Sequence, residues 1–244
     1  MARIELSIPI PLASRLAWTA FVALCIGNAL ALSLVHYADI EDAWGLVTLF
    51  HFDREQNLPT LFSVLLILAS SGLAFLQAEV SPQETRLRTG WIIVSVVLAL
   101  LAIDEFASIH ERVDAALRYY LGSELLPYAA WPIPYVLGVA ALGGALWRWF
   151  FALERAQAMY LILSGVIYLS GAVGVELITG QYLAHIDPDH LGVTNRTRDL
   201  LATLEETLEM FGLLVLAQTV ARRLHDTGNR GGIALKKNGT AFPD

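Results

Sequence analysis

Residues 91–111 read WIIVSVVLALLAIDEFASIHE, in which twelve of the first thirteen side chains are apolar and four of the last eight are titratable. At 1.5 Å per residue, an apolar helix of about 20 residues crosses a hydrocarbon core of about 30 Å. The segment therefore predicts a membrane-spanning helix that carries ionisable groups near one end.

The whole chain has the composition of a membrane protein. Of its 244 residues, 56% are hydrophobic and 16% charged, and the mean hydropathy is +0.56. Ordinary soluble domains carry about 25% charged residues. This composition excludes a disordered chain, a coiled coil and a collagen, and the single cysteine, Cys25, excludes a disulfide scaffold. The net charge of -7 argues against a nucleic-acid partner.

Six apolar runs predict six membrane-spanning helices. The predicted fold class is therefore all-α, a polytopic integral membrane protein with a six-transmembrane-helix bundle. Residues 1–223 are predicted to form a single transmembrane domain, and residues 224–244 a disordered cytoplasmic tail. The predicted spans are residues 16–36, 59–78, 91–111, 130–151, 160–180 and 200–221.

The first span has a second interpretation. Arg3 and Arg15 precede it, and Ala29 and Ala31 have the spacing of a signal-peptidase site. The apolar run continues through Val35, which is longer than the usual apolar region of a signal peptide. We therefore expect a retained helix, with a cleaved signal peptide as the alternative.

The distribution of basic residues predicts the orientation in the membrane. Eleven of the 16 Lys and Arg residues lie near the amino terminus, around the second and fourth loops, or in the carboxyl-terminal tail. Cytoplasmic segments carry an excess of Lys and Arg. Both termini are thus expected in the cytoplasm, in a multi-pass protein of the cell membrane, which in a bacterium is the inner membrane.

Acidic residues and histidines concentrate on the opposite side. Five of the six histidines belong to this group, and histidine takes no part in the positive-inside rule. We therefore expect the chemistry at the outer face. The residues are His36, Asp39, Glu41, Asp42, His51, Asp53, Glu55, His110, Glu111, Asp114, Glu124, His185, Asp187, Asp189, His190 and Asp199.

Six acids lie within the apolar spans themselves. An acid at the centre of a membrane helix costs about 2.5 to 3.5 kcal/mol, so these residues need partners, protons or a metal ion. Because the helices alternate in direction, all six fall in one layer of the outer leaflet. Continuous helical geometry also places His110 about 120° around the helix from Asp104. The six are Asp104, Glu105, Glu176, Glu205, Glu206 and Glu209.

Carboxylates and imidazoles without a thiolate suit Zn, Fe or Mn, so a divalent transition metal is the predicted cofactor. We expect Glu205 or Glu206 to act as general base and Ser108 as an orienting hydroxyl. A cluster of neutral, hydrogen-bonded acids is the structural alternative. The predicted metal ligands are Asp104, Glu105, His110, Glu111, Glu176, His185, His190, Glu206 and Glu209.

The functional hypothesis is a metal-dependent membrane enzyme, a hydrolase or an oxidoreductase. Because the site lies near headgroup depth, a lipid or lipid-linked molecule is the expected substrate, and membrane lipids are the expected partners. A proton- or cation-coupled transporter that uses the same acids is the alternative. A metal-binding sensor or assembly factor is the third hypothesis.

Overall fold

The structure is a computed structural model that describes residues 10–81, 85–122, 130–185 and 195–231, and every regular element in these ranges is helical. The all-α prediction is confirmed. The helices are α1 (Ile10–Ala38), α2 (Leu46–Phe50), α3 (Leu58–Val80), α4 (Arg86–Ala107), α5 (Ile109–Leu121), α6 (Pro132–Phe150), α7 (Arg155–Leu169), α8 (Glu176–Ala184) and α9 (Arg196–Gly231), with a π-helical segment, Ser170–Val175, between α7 and α8.

Five helical stretches are long and apolar enough to cross a membrane, and the fifth consists of α7, the π-helical segment and α8 together. They are Leu12–Ala38, Leu58–Val80, Arg86–Ala107, Pro132–Phe150 and Arg155–Ala184. Each of the first five predicted spans overlaps one of them. The sixth predicted span lies inside α9, whose 36 residues are long enough but carry many charges, so this span stays a prediction.

The third span differs from its prediction in where it ends. We expected one helix over residues 91–111, but α4 ends at Ala107 and α5 is a separate helix. Ser108, which joins them, has left-handed backbone angles of φ 46° and ψ 50°, which a helix cannot continue through. α5 ends at Leu121, followed by Gly122 with φ 86°.

The helices alternate in direction around a common core. α3 packs against α4 and α9, and α9 also packs against α1 and α7. Ile67, Met210 and Leu214 are almost fully buried in this core. The outward faces carry exposed apolar side chains such as Leu65 and Leu137, as lipid-facing helices do.

Contacts between helix ends define two ends of the bundle. At the acidic end, His36 of α1 bonds Asp199 of α9, and Asp104 of α4 bonds Tyr135 of α6. At the basic end, Ser14 contacts Gln218, Glu79 pairs with Arg88, and Glu154 pairs with Arg223. The acidic end therefore includes His36 and Asp199, which the sequence assigned to the outer face.

Candidate functional site

The break at Ser108 forms the centre of the acidic end. It turns α5 so that His110 Nδ1 lies 3.3 Å from Asp104 Oδ2. The expectation that His110 points about 120° away from Asp104 was wrong, because it assumed a continuous helix through a residue that is left-handed in the structure. Strained backbone of this kind is often found at functional sites.

Aromatic residues of α6 and its N-terminal end hold this pair from the other side. The Tyr135 hydroxyl donates to Asp104 Oδ1 at 2.7 Å. The ring centroids of His110 and Trp131 are 5.1 Å apart, and Trp131 Nε1 donates to Glu176 Oε1 at 3.3 Å. Asp104, His110 and Glu176 are thus joined through one layer of side chains.

Glu55, in the segment before α3, completes a group of three potential metal ligands. One ligand atom each from Glu55, His110 and Glu111 lies within 4.8 Å of the others. The neighbouring Ser108 side chain acts to lower the pKa of Glu55, against the effect of burial. The left-handed Gln56, with φ 59°, precedes Asn57, whose side chain caps α3 by accepting from the Thr60 amide. The cap fixes where the chain enters α3, and hence where Glu55 lies.

The charges of this group affect its protonation. Burial opposes a charge on His110, but its hydrogen bond to Asp104 and the charges of Asp104, Glu105 and Glu55 together raise the pKa of His110. Partial burial and the neighbouring Glu111 raise the pKa of Glu55, against the opposing effect of His110. A cation would relieve the repulsion between the carboxylates.

A series of carboxyl groups continues from this site into the bundle. Glu105 interacts electrostatically with Glu55, Glu206 with Glu105, and Glu209 with Glu206. Glu209 packs against the π-helical segment, because a Cβ on Gly171 would lie 3.1 Å from Glu209 Cγ and 2.6 Å from the Glu205 carbonyl oxygen. π-Helical segments occur frequently at functional sites.

The predicted site residues divide into three groups. Asp104, Glu105, His110 and Glu111 surround the break at Ser108, and Glu176 reaches them through Trp131. Glu205, Glu206 and Glu209 lie deeper along α9. His185 stands apart, since it is exposed and its Nδ1 donates to the Gln181 carbonyl at 2.7 Å. His190 lies outside the described residues.

A second polar cluster joins α1, α2 and α9 at the same end. His36 Nε2 lies 2.8 Å from Asp199 Oδ2, and His51 Nε2 lies 3.9 Å from the same oxygen. Arg198 pairs with Asp53 at 2.8 Å. Asp199, which the sequence places at the outer face, is buried. Burial lowers the pKa of His51, against the opposing charge of Asp199, and raises the pKa of Asp53.

The sequence pattern does not assign Glu55, Tyr135 or Trp131 to the site. It places Glu55 at the outer face, but nothing in the neighbourhood of this residue distinguishes it from Asp53 or Glu41. Trp131 fits an interfacial aromatic belt, and no local pattern indicates a contact across 45 residues to Glu176. These contacts depend on tertiary packing alone.

The fold and this site define a class of protein, an all-helical chain with five stretches long and apolar enough to cross a membrane and with acids and histidines gathered at one end. Within that class, the chain belongs to the family described as a domain of unknown function, DUF8692, which matches residues 15–223. No curated protein and no solved structure matches the chain at a significant level. The matched region includes both polar clusters and the whole helical core.

Proposed function

We propose that the protein is a membrane enzyme that binds a divalent transition metal, Zn, Fe or Mn, and acts on a lipid or lipid-linked substrate. The observation that carries the proposal is the convergence of Glu55, His110 and Glu111, whose ligand atoms lie within 4.8 Å of one another. Three protein ligands with an open position are typical of catalytic metal sites. Glu55 and Glu111 are exposed, so their side chains can rotate towards a common ion.

The surroundings of His110 support the assignment. A metal-bound histidine almost always donates its second ring N–H to a carboxylate, a carbonyl or a water. Here Asp104 accepts from His110 Nδ1, which leaves Nε2 for the metal, and Tyr135 fixes Asp104. Asp104, one of the ligands predicted from sequence, thus orients His110 in this proposal. Glu105, Glu176, Glu206 and Glu209 take supporting positions around the site.

The reaction we propose uses groups already in place. A bound metal would polarise a substrate oxygen or lower the pKa of a water. Glu206, which interacts electrostatically with Glu105 and Glu55, is our candidate general base. Ser108, whose side chain neighbours Glu55 and acts to lower its pKa, is our candidate orienting hydroxyl. Glu205 is the alternative base, because it lies on the adjacent position of α9.

Access from the lipid phase supports a lipid substrate. Three apolar side chains around the break are exposed, Ile103 by 54%, Phe106 by 70% and Ile109 by 36%. They lie where a membrane-spanning helix ends, at the depth of the headgroup region. An acyl chain packed against these side chains would bring a headgroup to Glu111 and His110.

Metal content measured by plasma mass spectrometry on the detergent-purified protein tests the proposal. We expect a near-stoichiometric transition metal in the wild type, and its loss in Glu55→Gln, His110→Ala and Glu111→Gln. Glu41→Gln, an exposed acid of the same end, is the control that should retain metal. A wild type that is metal-free and refuses added Zn, Mn and Fe would overturn the proposal. Hydrolysis and redox assays with lipids would follow a positive result.

The carboxyl series through Glu105, Glu206 and Glu209 favours a second candidate, a proton- or cation-coupled transporter. Acids in series within a membrane protein are typical of proton relays. In this alternative, Glu206→Gln would abolish a proton flux into proteoliposomes loaded with a pH-sensitive dye. A wild type without any such flux, under an imposed pH gradient or membrane potential, would eliminate the transporter.

We also propose that α9 is the sixth membrane span and that both termini lie in the cytoplasm. The support is that the first turns of α1 lie beside the end of the sixth predicted span, where Ser14 contacts Gln218. Single cysteines in a Cys25→Ser background, at positions 41 and 154, test the orientation with a membrane-impermeant thiol reagent. Labelling of position 41 alone in intact cells would agree with it, and labelling of position 154 alone would contradict it.

A further inference from the structure

The basic end of the bundle contains a partly enclosed cavity of about 80 Å³. It lies where α3 ends, α4 begins and the segment after α6 turns into α7. Among the residues that line it are Gln77, Trp91, Gln157 and Arg223. None of these residues belongs to the acidic end, so the cavity is independent of the metal site proposed above.

Two buried amides in the cavity have unused hydrogen-bonding groups. Gln157 is 7% exposed, and neither its Nε2 nor its Oε1 has a partner within the described residues. Gln77 is 3% exposed, and its Oε1 is likewise unpaired in the part of the chain that the structure describes. Buried polar groups are almost always satisfied by a partner. Two unsatisfied amides that line one cavity therefore point to an occupant with both donors and acceptors.

The charges around the cavity limit what the occupant can be. Arg223 contributes a guanidinium to the lining and is held by Glu154, at 2.8 Å between Nη1 and Oε2. Arg88 pairs with Glu79 at the same end. An arginine recognises phosphate oxygens, and hydroxyl groups can both donate to and accept from an amide. Trp91 and Leu87 form the apolar part of the wall, which suits the non-polar portion of an amphiphile.

We propose that this cavity binds a phosphate ester that carries free hydroxyl groups, such as the phosphoglycerol headgroup of an anionic lipid. The hydroxyl groups bond the amides of Gln77 and Gln157, and the phosphate lies at Arg223. The cavity lies at the end of two membrane-spanning helices, where headgroups are found. A lipid headgroup and a soluble phosphorylated polyol share this chemistry, and the experiment distinguishes them.

The test uses the full chain in phosphatidylcholine nanodiscs, in which thermal unfolding is followed by tryptophan fluorescence. One arm adds phosphatidylglycerol to the bilayer, and the other adds glycerol 3-phosphate to the buffer. The variants are Gln157→Leu and Gln77→Leu, which remove the amides at nearly constant volume. Gln181→Leu, at an exposed position of the acidic end, is the matched control.

We expect phosphatidylglycerol to raise the Tm of the wild type and of Gln181→Leu. In titrations, each cavity variant should bind it at least about fivefold more weakly, as expected for one lost hydrogen bond. Stabilisation by glycerol 3-phosphate alone would support the binding site and would identify its ligand as a soluble phosphorylated polyol. The proposal fails if neither compound stabilises the wild type, or if both cavity variants respond to them as the wild type does. Native mass spectrometry of the wild type, which needs no variant to fold, must also show phosphatidylglycerol retained in preference to phosphatidylcholine.

Discussion

The two ends of the bundle are built by different means. At the acidic end, side chains meet through polar contacts across long sequence distances, as in Asp104 with Tyr135 and His36 with Asp199. The backbone there contains left-handed residues outside glycine, Ser108 among them. At the basic end, Trp91 and Trp149 pack edge to face, 5.1 Å apart, against Gly90. We infer that tight packing at the basic end supplies the rigidity that holds a strained, polar site at the acidic end.

The largest effect should come from the tight packing at the basic end. A Cβ on Gly90 would lie 2.0 Å from Trp149 Cδ1, and this ring is itself buried against Trp91. Gly90→Ala should therefore destabilise the protein by about 1 to 3 kcal/mol, measured as a lower Tm in detergent. Gly72→Ala is the matched control, because a Cβ at position 72 would meet nothing within 4 Å and the helix gains propensity. Equal Tm values for the two variants would show that the basic end is not tightly packed.

A substitution of Asp104, which holds His110 at the proposed metal site, should affect metal binding more than protein stability. Asp104→Asn keeps the shape of the side chain but weakens its hold on His110 Nδ1, so metal affinity should fall by about 10- to 100-fold. Tyr135→Phe should give a smaller loss, because Asp104 keeps its charge. Competition with a chelating dye measures both affinities. A Tm that falls in Asp104→Asn while the affinity is unchanged would assign the acidic end a structural role instead.

The second polar cluster predicts a pH dependence of stability. Burial lowers the pKa of His51, which is faced by Asp199, Asp53, Arg54 and His36. The His51 side chain therefore binds a proton more readily in the unfolded chain than in the folded chain. The stability that depends on neutral His51 is present above pH 6.5 and is lost as the pH falls below it.

His51→Gln should reduce the loss of stability between about pH 7 and pH 5 by a few degrees of Tm. Tm values of the variant and the wild type across this interval measure the effect, and the His185→Ala variant, which alters an exposed histidine, serves as the control. A steeper decline in His51→Gln than in the wild type would contradict the sign of the pKa shift.

The sequence was sufficient to predict the helices but not the geometry of the site. Apolar runs predicted five spans within a few residues, because membrane insertion depends on local composition. The layer of acids was also visible, since helix direction alternates. The break at Ser108 could not be predicted, because serine has no local preference for a left-handed conformation. The surrounding packing imposes this conformation. Glu55 and Tyr135 reach the site only through that packing.

The smallest effect should come from the ion pair between Arg88 and Glu79 at the basic end. Their side chains are 34% and 41% exposed, and exposed pairs contribute about 0 to 1 kcal/mol, which salt reduces further. Glu79→Gln should thus change the Tm slightly at low salt and not at all at high salt. Asp199→Asn, by contrast, changes a buried residue bonded to His36, so its effect should persist at high salt, because screening acts weakly on buried groups. If salt abolished both effects equally, the cluster of the acidic end would be solvated, and the distinction between the two ends would be lost.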